Sequence, residues 1–504
     1  MRTKKALKNA SVSLLYQITA VVCGLITPRL ILANFGSTYN GVISSANQFL
    51  GMISLLTLGI AGATRVALYK PIAEKNNSAI SRIMKSNKLY MRKVGITIVF
   101  YTALLCVIYP IISHNDLPSI ESATLIAIVG VGVFAQYFFG ISNQTLLSAD
   151  QASYIYYGIQ CLTIIANTVI SVILIKSGCS IYIVKLGSSL VFLISPILLN
   201  QIVKRKYGLT DDCEPDDTAL QQRGAVAFHS IANIVHEDTD LIVLTLFADA
   251  KLISVYSVYQ LVAGKIRTML LMLANGLEGA FGNMWAKEEL DAFERNFRYF
   301  EFIILSLTSI VFSCVAVLIV PFIRLYTNGV DDINYIRIPF AVLTVMTEAM
   351  YCIRDPYLVV VQATGNYKAT KKAALMEAII NLGLSFALVT KFGLCGVMFG
   401  TLMANTFRTV HYAFFISKNV LFGSIKGTII RFSWYVGNSI IIILCQVVVM
   451  RLLPGASSWR IWIMWGFISF IIAVVVTAIS AFLFFRSDLL QLYNHIRKSI
   501  IRKE

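Results

Sequence analysis

The sequence predicts an all-α, polytopic membrane protein with about 14 transmembrane helices. Of its 504 residues, 57% are hydrophobic and only 14% are charged, and its mean hydropathy is +0.72. A soluble domain carries about 25% charged residues. The apolar residues also fall into runs close to the ~20 residues that a helix needs to cross a bilayer. These observations exclude an ordinary soluble protein.

Short polar connections separate the predicted spans. In chain order, the spans are 9–33, 41–67, 94–113, 122–147, 155–175, 181–202, 225–247, 252–284, 299–323, 336–363, 374–391, 394–417, 432–453 and 460–485. The first apolar run reaches Ala33 without a small-residue cleavage site, which predicts a retained helix and not a removed signal peptide.

Lys and Arg cluster in alternate connections, and this asymmetry predicts the orientation of the chain. The N-terminal segment, the even-numbered connections and the C-terminal tail hold clusters of them, whereas the odd-numbered connections 35–40 and 114–118 hold none. Positively charged connections stay in the cytoplasm, so both termini are expected there. The same distribution argues against nucleic acid as the reason for the net charge of +17.

The two longest connections, 68–93 and 203–224, are both expected in the cytoplasm. Apolar residues at helical spacing in the first, Ile80, Ile83, Met84 and Leu89, predict a helix on the membrane surface. The second contains five acidic residues between 211 and 217, which we interpret as a solvated linker. The nine cysteines include no CxxC pair. We therefore predict no metal site, no disulfide framework and no cofactor.

An internal repeat divides the chain near its middle. Asn167 and Ser171 lie four residues apart in the fifth span, as do Asn381 and Ser385 in the eleventh, and each span ends in a Lys two residues before a Gly. The repeat predicts two sets of six spans related by an axis along the membrane normal. The predicted divisions are an N-lobe (1–202), a cytoplasmic linker (203–224), a C-lobe (225–417), and spans 13 and 14 with a cytoplasmic tail (418–504).

About a dozen ionisable side chains interrupt the apolar spans. A charge in hydrocarbon is costly, so such residues normally face a bundle interior or a wet cavity, where they mark a substrate or ion path. They are Arg29, His236, Glu237, Asp238, Asp240, Lys265, Arg267, Glu278, Glu348, Arg354, Asp355, Glu377 and Arg408. This pattern predicts a transporter with a polar, charged central route.

The seventh span is the most polar of all. At spacings of three and four residues, one face of its helix carries His229, Asn233, His236, Glu237 and Asp240. Two interpretations stay open for this face. It is either a structural polar interface with neighbouring spans or a cavity wall that couples transport to ions or protons.

Cations in four spans are candidates for binding an anion, because guanidinium and ammonium groups pair with phosphate. The candidate substrate-binding residues of this cationic cavity are Arg29, Arg65, Lys265, Arg267 and Arg354. The candidates for ion coupling or polar contacts in the cavity are His236, Glu237, Asp240, Glu348, Asp355, Asn167 and Asn381. A purely structural alternative pairs Arg267 with Asp240, and Arg354 with Glu348. For Arg65, anchoring at the membrane interface is an equal alternative.

The sequence contains no catalytic motif that we recognise. It has no GK[ST] P-loop, which argues against direct use of ATP, and no HExxH motif. It also has no long exterior loop to hold a catalytic centre. We therefore predict that the protein is not an enzyme.

Several short motifs, taken in order along nearly the whole chain, resemble the multidrug/oligosaccharidyl-lipid/polysaccharide (MOP) exporter superfamily. Within it, the chain is most similar to the Wzx-type polysaccharide or O-antigen flippases. The motifs are Pro28-Arg29 followed by Asn34-Phe35-Gly36, the run from Gly59-Ile60-Ala61-Gly62 to Arg65, Thr239-Asp240-Leu241-Ile242, Tyr256, and the spans with Asn167 and Asn381.

The resemblance implies a MATE-like fold of two six-helix lobes around a central cavity, with two peripheral helices. It implies a flippase that moves an undecaprenyl-diphosphate-linked oligosaccharide from the inner to the outer leaflet of the bacterial cytoplasmic (inner) membrane. Transport would use alternating access and an H⁺ or Na⁺ gradient, and would serve O-antigen, capsule or exopolysaccharide synthesis. Expected partners are this lipid-linked oligosaccharide, membrane lipids and polysaccharide polymerase machinery. By span, arginines of related lipid II flippases correspond to Arg29, Arg65, and Arg267 or Lys265.

Three alternatives stay open. A multidrug cation antiporter of the same superfamily would share the fold and use acidic groups such as Asp240 and Glu348. A lipid II flippase would share the cationic cavity. A glycan polymerase or ligase would be an enzyme, and we would expect it to carry the large exterior loop that this sequence lacks.

Overall fold

The computed structural model describes residues 2–57, 60–113, 117–210, 213–216, 239–272 and 277–486. These residues are almost entirely helical, which confirms the predicted all-α class. The chain forms two compact units. Unit 1 comprises Met1–Ser257 and Gly329–Ile333, and unit 2 comprises Val258–Asn328 and Asn334–Glu504. The division into lobes and linker inferred from the sequence repeat stays a prediction.

The helices of unit 1 follow one another with short turns. They are α1 (Arg2–Phe35), α2 (Ser37–Gly51), α3 (Ser54–Thr57), α4 (Ile60–Ala73), α5 (Asn77–Ile112), α6 (Ser119–Ala135), a π-helical turn (Gln136–Gly140), α7 (Ile141–Ala149), α8 (Ser153–Lys176), α9 (Ile181–Tyr207) and α10 (239–247).

The next helix, α11 (Ala250–Leu271), contributes residues 250–257 to unit 1 and 258–271 to unit 2. The remaining helices belong to unit 2. They are α12 (Glu278–Ala286), α13 (Leu290–Tyr326), α14 (Ile338–Ala363), α15 (Tyr367–Phe392), α16 (Leu394–Asn419), α17 (Lys426–Arg451) and α18 (Trp459–Phe484).

Within the described ranges, nine helices are long and apolar enough to cross a membrane. They are Lys8–Phe35, Asn77–Ile112, Ser119–Ala149, Ser153–Lys176, Ile181–Tyr207, Leu290–Tyr326, Tyr367–Phe392, Lys426–Arg451 and Trp459–Phe484. Large apolar side chains such as Phe100, Leu162 and Phe467 are about 70% exposed, which suits contact with lipid tails. The chain is a multi-pass membrane protein.

Three predicted spans are interrupted. The second span is divided into α2, α3 and α4, and α2 ends at Gly51, a residue that disfavours helix interiors. The fourth span contains the π-helical turn between α6 and α7. In the eighth, α11 ends at Leu271 and α12 begins at Glu278. Apolar runs alone do not reveal such interruptions, because a broken helix keeps the same composition.

The prediction of a surface helix over residues 80–89 is wrong. These residues belong to α5, which continues without a break from Asn77 to Ile112. Ile80, Ile83 and Met84 are buried in a core cluster of unit 1 with residues that include Leu146 and Leu199. The amphipathic spacing therefore reflects packing against α7 and α9.

Asp150 ties three segments at one end of unit 1. Its carboxylate pairs with Lys5 Nζ at 3.3 Å and Lys206 Nζ at 3.0 Å, and accepts a hydrogen bond from the Tyr207 hydroxyl at 2.7 Å. Burial raises the pKa of the Asp150 carboxyl, but the hydrogen bonds from Tyr207 and Lys206 and the two lysine charges outweigh it, so the pKa lies below its ordinary value. Asp150 thus stays ionised and holds α1 and α9 to the end of α7.

The two helices that carry the sequence repeat, α8 and α15, end in similar ways. Gly178 follows α8 with φ of 73°, and Gly393 follows α15 with φ of 53°. This left-handed region is costly for other residues, which explains why a glycine follows each lysine at the same distance. Ser171 and Ser385 are both almost fully buried.

The last two helices, α17 and α18, pack on α13 within unit 2. The Asn438 amide of α17 donates hydrogen bonds to Ser309 Oγ at 2.8 Å and to Thr477 Oγ1 at 3.0 Å. The rings of Phe302 and Trp434 stack with centroids 5.4 Å apart. Asn438 therefore links all three helices through hydrogen bonds between their side chains.

Candidate functional site

Unit 2 buries a set of arginines against glutamates. The ion pairs are Arg267–Glu348 at 3.2 Å, Arg354–Glu377 at 2.7 Å, Arg408–Glu377 at 3.8 Å and Arg431–Glu301 at 2.5 Å. Buried charges persist only when a partner compensates for their lost hydration. The pairs involve α11, α13, α14, α15, α16 and α17, so residues far apart in sequence form one charged region of unit 2.

Arg267 of α11 contacts two residues of α14. Its Nη1 pairs with Glu348 Oε2, and its guanidinium lies over the Tyr351 ring, 4.4 Å from the centroid. The Arg354 guanidinium lies 4.7 Å from the same centroid. Tyr351 therefore offers a negative ring face to two cations. Glu348 is 2% exposed, whereas the Arg267 side chain is 20% exposed and so partly accessible.

Glu377 of α15 is shared by two guanidiniums. Arg354 Nη1 donates to its Oε1 and also to Asn405 Oδ1 at 3.2 Å. Arg408 Nε lies 3.8 Å from Glu377 Oε2, and Arg408 Nη2 donates to the Tyr412 hydroxyl at 2.6 Å. Within the described residues, Nε and Nη1 of Arg408 donate no hydrogen bond although they are buried. The guanidinium of Arg408 thus has unused donors inside unit 2.

Glu301 of α13 is the most deeply buried carboxylate of this set. It accepts hydrogen bonds from Arg431 Nε and from the Tyr357 hydroxyl, both at 2.5 Å. Its side chain is fully shielded from solvent. The arrangement satisfies both carboxylate oxygens, which favours a structural role for this pair.

Two other candidates of unit 2 lie near this charged region in sequence. Asp355, next to Arg354 on α14, is half-buried, and its Oδ2 has no hydrogen-bond partner within the described residues. Lys265, two residues before Arg267 on α11, is exposed. Asn381 of α15 accepts hydrogen bonds at Oδ1 from Ser385 and Thr401, which ties α15 to α16.

The candidates of unit 1 are dispersed over several helices. Arg29 is half-buried on α1, and Arg65 is exposed on α4. Asp240 of α10 is buried and accepts a hydrogen bond from the Tyr256 hydroxyl at 3.0 Å. Asn167 of α8 is half-buried, and its Oδ1 has no hydrogen-bond partner in the described ranges. The structure thus places Asp240 and Tyr256, two residues of the resemblance motifs, in direct contact.

Residues 217–238 lie outside the described part of the chain. His236 and Glu237, which we predicted as ion-coupling residues, fall there, as do His229, Asn233 and Asp238. Of the polar face of the seventh span, only Asp240 is described.

The ion pairs differ from those of the structural alternative. That alternative paired Arg267 with Asp240 and Arg354 with Glu348, but the structure pairs Arg267 with Glu348 and Arg354 with Glu377. Sequence spacing does not specify contacts between different helices. In unit 2, α14 and α15 both pack against α16, and this arrangement brings Glu377 of α15 to Arg354 of α14.

Sequence analysis assigned no role to four of the paired residues. Glu377 and Arg408 lie within predicted spans and were noted only as charged. Glu301 and Arg431 lie at the ends of predicted spans, where they resemble interfacial anchors. The sequence did carry a signal for each of the four, because a charged residue in or beside an apolar run normally has a buried partner. In the described ranges, no group of three or more His, Cys, Asp or Glu side chains is placed to hold a metal ion.

The described part of the chain is all-α and multi-pass, with charges buried between the helices of unit 2. Comparison with solved structures gives the particular fold. The lipid II flippase MurJ, in an inward closed conformation, matches with a TM-score of 0.71 at 16% sequence identity, over 94% of this chain and 99% of its own.

Transporters of the MATE family also match. A multidrug resistance MATE transporter of the MOP superfamily gives a TM-score of 0.62 in its inward-facing conformation, at 13% identity over 81% of this chain and 96% of its own. An outward-facing MATE structure gives 0.57, at 16% identity over 80% of this chain and 93% of its own. The chain therefore has the two-lobe fold of MOP-superfamily flippases and transporters. No model of a known protein family and no curated protein sequence matches it.

Proposed function

We propose that the protein is a flippase that moves an undecaprenyl-diphosphate-linked oligosaccharide from the inner to the outer leaflet of the bacterial cytoplasmic membrane. It would work by alternating access, driven by an ion gradient, and would serve surface polysaccharide synthesis. The observation that carries this proposal is the fold match with a lipid II flippase over nearly the full length of both chains. That protein's name states a lipid-linked substrate.

The share of the chain that each structure matches favours a flippase over a multidrug antiporter. The flippase structure covers 94% of this chain, whereas the two MATE structures cover 81% and 80%. About a fifth of the chain therefore lies outside each of these two matches. Function nevertheless depends on the site, since one fold supports several activities.

The charge arrangement of unit 2 also favours an anionic substrate. An organic cation requires a carboxylate that is not already neutralised. The three buried glutamates of unit 2, Glu301, Glu348 and Glu377, are each paired with arginine, and Asp355 is the described carboxylate beside them without such a pair. Arginine forks match phosphate oxygens as well as carboxylates. The diphosphate would replace a glutamate as the partner of Arg267 or Arg354. Arg29, Arg65 and Lys265 complete the proposed substrate-binding set.

When Arg267 transfers from Glu348 to the diphosphate, a buried carboxylate would lose its counter-charge. A proton on Glu348 would remove that cost, so binding of the diphosphate and protonation of Glu348 would be linked. Release of the diphosphate would return Arg267 to Glu348. Asp240, Asp355, Asn167, Asn381, His236 and Glu237 stay proposed polar or coupling residues.

The test uses a deletion strain of the native host complemented with variants, with surface polymer as the readout. The Arg267→Ala variant alone is uninformative if it fails to fold, because it leaves Glu348 buried without a partner. The double variant Arg267→Gln with Glu348→Gln removes both charges and is expected to accumulate in the membrane but to lose export. The matched control is Arg298→Gln, which removes an arginine from the exposed pair with Glu294 on α13 and should export normally. Normal export by the double variant would contradict the assignment of Arg267.

The same strain separates the alternatives. Drug susceptibility is expected to be unchanged by the deletion, and hypersensitivity together with normal surface polymer would favour the antiporter. Expression in a strain depleted of its lipid II flippase is expected to give no rescue. Full rescue of growth would instead assign lipid II as the substrate.

A further inference from the structure

Unit 1 contains a cavity that none of the proposed substrate-binding residues lines. Its volume is about 350 Å³, and α1, α2, α6, the π-helical turn, α7, α8 and α9 contribute its walls. This volume falls within the range of small-molecule binding sites, about 300–1,000 Å³. The cavity lies wholly inside unit 1, and its lining is too polar for a space filled by lipid tails.

Carboxamides from four wall segments line the cavity. They are Asn47 of α2, Gln136 of the π-helical turn, Gln144 of α7 and Gln160 of α8. The side chains of Asn47, Gln136 and Gln144 make no hydrogen bond to any other described residue. Asn47 and Gln136 are exposed and Gln144 is half-buried, so their amides are accessible from the cavity. Their convergence on one cavity offers a polar ligand several donors and acceptors.

Lys185 of α9 is the one charged residue among the described residues that line the cavity. It is half-buried and forms no ion pair with any described residue. An ammonium group in a membrane-spanning helix normally has an anionic partner. No carboxylate of the described lining supplies one, so the missing charge is expected on a ligand.

The combination of groups defines the ligand class. Each carboxamide offers a donor and an acceptor, the pair that neighbouring sugar hydroxyls require. Tyr16 and Tyr156 add aromatic rings to the lining, which suit the apolar face of a pyranose. A diphosphate carries at least two negative charges and matches forked guanidiniums, whereas Lys185 is a single point charge. One carboxylate on a sugar fits this site better.

The wall itself shows a second, independent feature. Gln136 begins the π-helical turn and Gly140 ends it, and both face the cavity. Single π-helical turns inside α-helices are rare and occur frequently at functional sites. Here the turn interrupts the same predicted span from which Gln136 and Gln144 reach the cavity.

We infer that this cavity is a saccharide-binding site that recognises an acidic sugar, with Lys185 paired to the sugar carboxylate and the carboxamides bound to its hydroxyls. The inference rests on the proposed function, which it deepens: the lipid-linked oligosaccharide contains a uronic acid or a related acidic residue. The diphosphate and the sugar are thus recognised by separate groups.

The experiment measures binding of soluble sugars to the full-length protein in nanodiscs by saturation-transfer NMR. The probes are methyl β-D-glucuronide and methyl α-D-galacturonide, their neutral glucoside and galactoside counterparts, and inorganic phosphate. At least one uronide is expected to bind about tenfold more tightly than its neutral counterpart, because a charge-assisted hydrogen bond contributes this much. Lys185→Met is expected to remove the difference, and Gln144→Leu to weaken both sugars.

The matched control is Lys176→Met, which removes an exposed lysine at the end of α8, outside the cavity. It should bind as the unaltered protein does. Equal binding of both uronides and their neutral counterparts, or an unchanged preference in Lys185→Met, would overturn the inference. Phosphate that binds as tightly as the uronides would also overturn it, since it would show an anion site without sugar recognition.

The outcomes distinguish this inference from the proposed function. If the strain exports polymer but the purified protein binds no uronide, the saccharide site is wrong and the flippase assignment stands. If the protein binds uronide through Lys185 but the deletion strain keeps its surface polymer, the flippase assignment is wrong and the cavity stays a sugar site.

Discussion

At the scale of single residues, the buried charges of unit 2 are interdependent. Arg354 and Arg408 both depend on Glu377, because Arg354 binds its Oε1 and Arg408 lies near its Oε2. Removing one partner of a buried ion pair costs more than the pair contributes, since a charge is left without compensation. Substitutions at the shared carboxylate should therefore have larger effects than substitutions at either arginine.

We predict that Glu377→Gln strongly destabilises the protein, by about 3–5 kcal/mol in the free energy of unfolding, the cost of breaking a buried pair. Two guanidiniums would lose their common counter-charge, whereas Arg354→Met would still leave Arg408 beside Glu377. The measurement is the melting temperature of the purified protein by size-exclusion chromatography with fluorescence detection. Glu377→Gln should melt at the lower temperature of the two.

The control for this prediction is Glu294→Gln. Glu294 pairs with Arg298 on the exposed surface of α13, and exposed pairs contribute about 0–1 kcal/mol. Its melting temperature should stay close to that of the unaltered protein. A Glu377→Gln protein as stable as this control would show that Glu377 is not the group on which the two arginines depend.

The candidate site was predictable from the sequence in its residue types but not in its pairings. Arg267, Arg354 and Glu348 were apparent because a charge inside an apolar run is costly wherever it points. Their partners were not apparent, because Glu377 lies on a different helix from Arg354 and its distance along the chain carries no geometric information. Lys185 shows the same limit, since its function depends on a cavity formed by other helices.

At the scale of helices, α15 and α16 approach each other closely at two glycines. An ideal Cβ atom on Gly396 would lie 2.5 Å from the Leu388 carbonyl oxygen, and one on Gly400 would lie 2.9 Å from the Ser385 amide nitrogen. The two glycines are four residues apart, the small-xxx-small spacing of closely packed membrane helices. The contact brings Ser385 and Thr401 to Asn381 and positions Glu377 on the same helix pair.

We predict that Gly396→Ala and Gly400→Ala each force α15 and α16 apart and lower the melting temperature, with a loss of flippase activity. The matched control is Gly383→Ala, since Gly383 also lies in α15 but a Cβ atom there would meet no atom within 4 Å. Alanine favours helix by up to about 1 kcal/mol over glycine, so this control should be neutral or stabilising. Equal melting temperatures for all three variants would contradict the close approach.

The sequence allowed the helices to be predicted, but not their interruptions. Period and composition identified the apolar stretches now seen as α8 and α18 to within two residues at each end, and those seen as α9 and α13 with one end displaced by several residues. The breaks around Gly51 and the π-helical turn at Gln136 depend on how neighbouring helices fill space. The surface-helix prediction that included Ile83 failed for a different reason. An apolar helix face that packs on protein has the same residue spacing as one that lies on a membrane surface.

At the scale of the whole molecule, the connections of unit 1 fall into two groups, one at each end of the unit. At one end, Asp150 forms ion pairs with Lys5 of the N-terminal segment and with Lys206 at the end of α9. At the other end, where α9 begins, Glu121 accepts hydrogen bonds from the hydroxyls of Tyr39 and Tyr182. The connections rich in Lys and Arg thus share one end of unit 1, and those nearly free of them share the other.

The positive-inside rule predicts that the Asp150 end faces the cytoplasm. Fusions of green fluorescent protein and alkaline phosphatase after four residues test this prediction. We expect fluorescence and no phosphatase activity after Gly208 and Val420, and the reverse after Pro118 and Gly329, because phosphatase folds only outside the cytoplasm and the fluorescent protein only inside it. Each site receives both reporters, so a low signal from poor expression is recognised. The reversed pattern at all four sites would place the basic connections outside, where they would face away from the inner leaflet from which a flippase of the proposed kind takes its substrate.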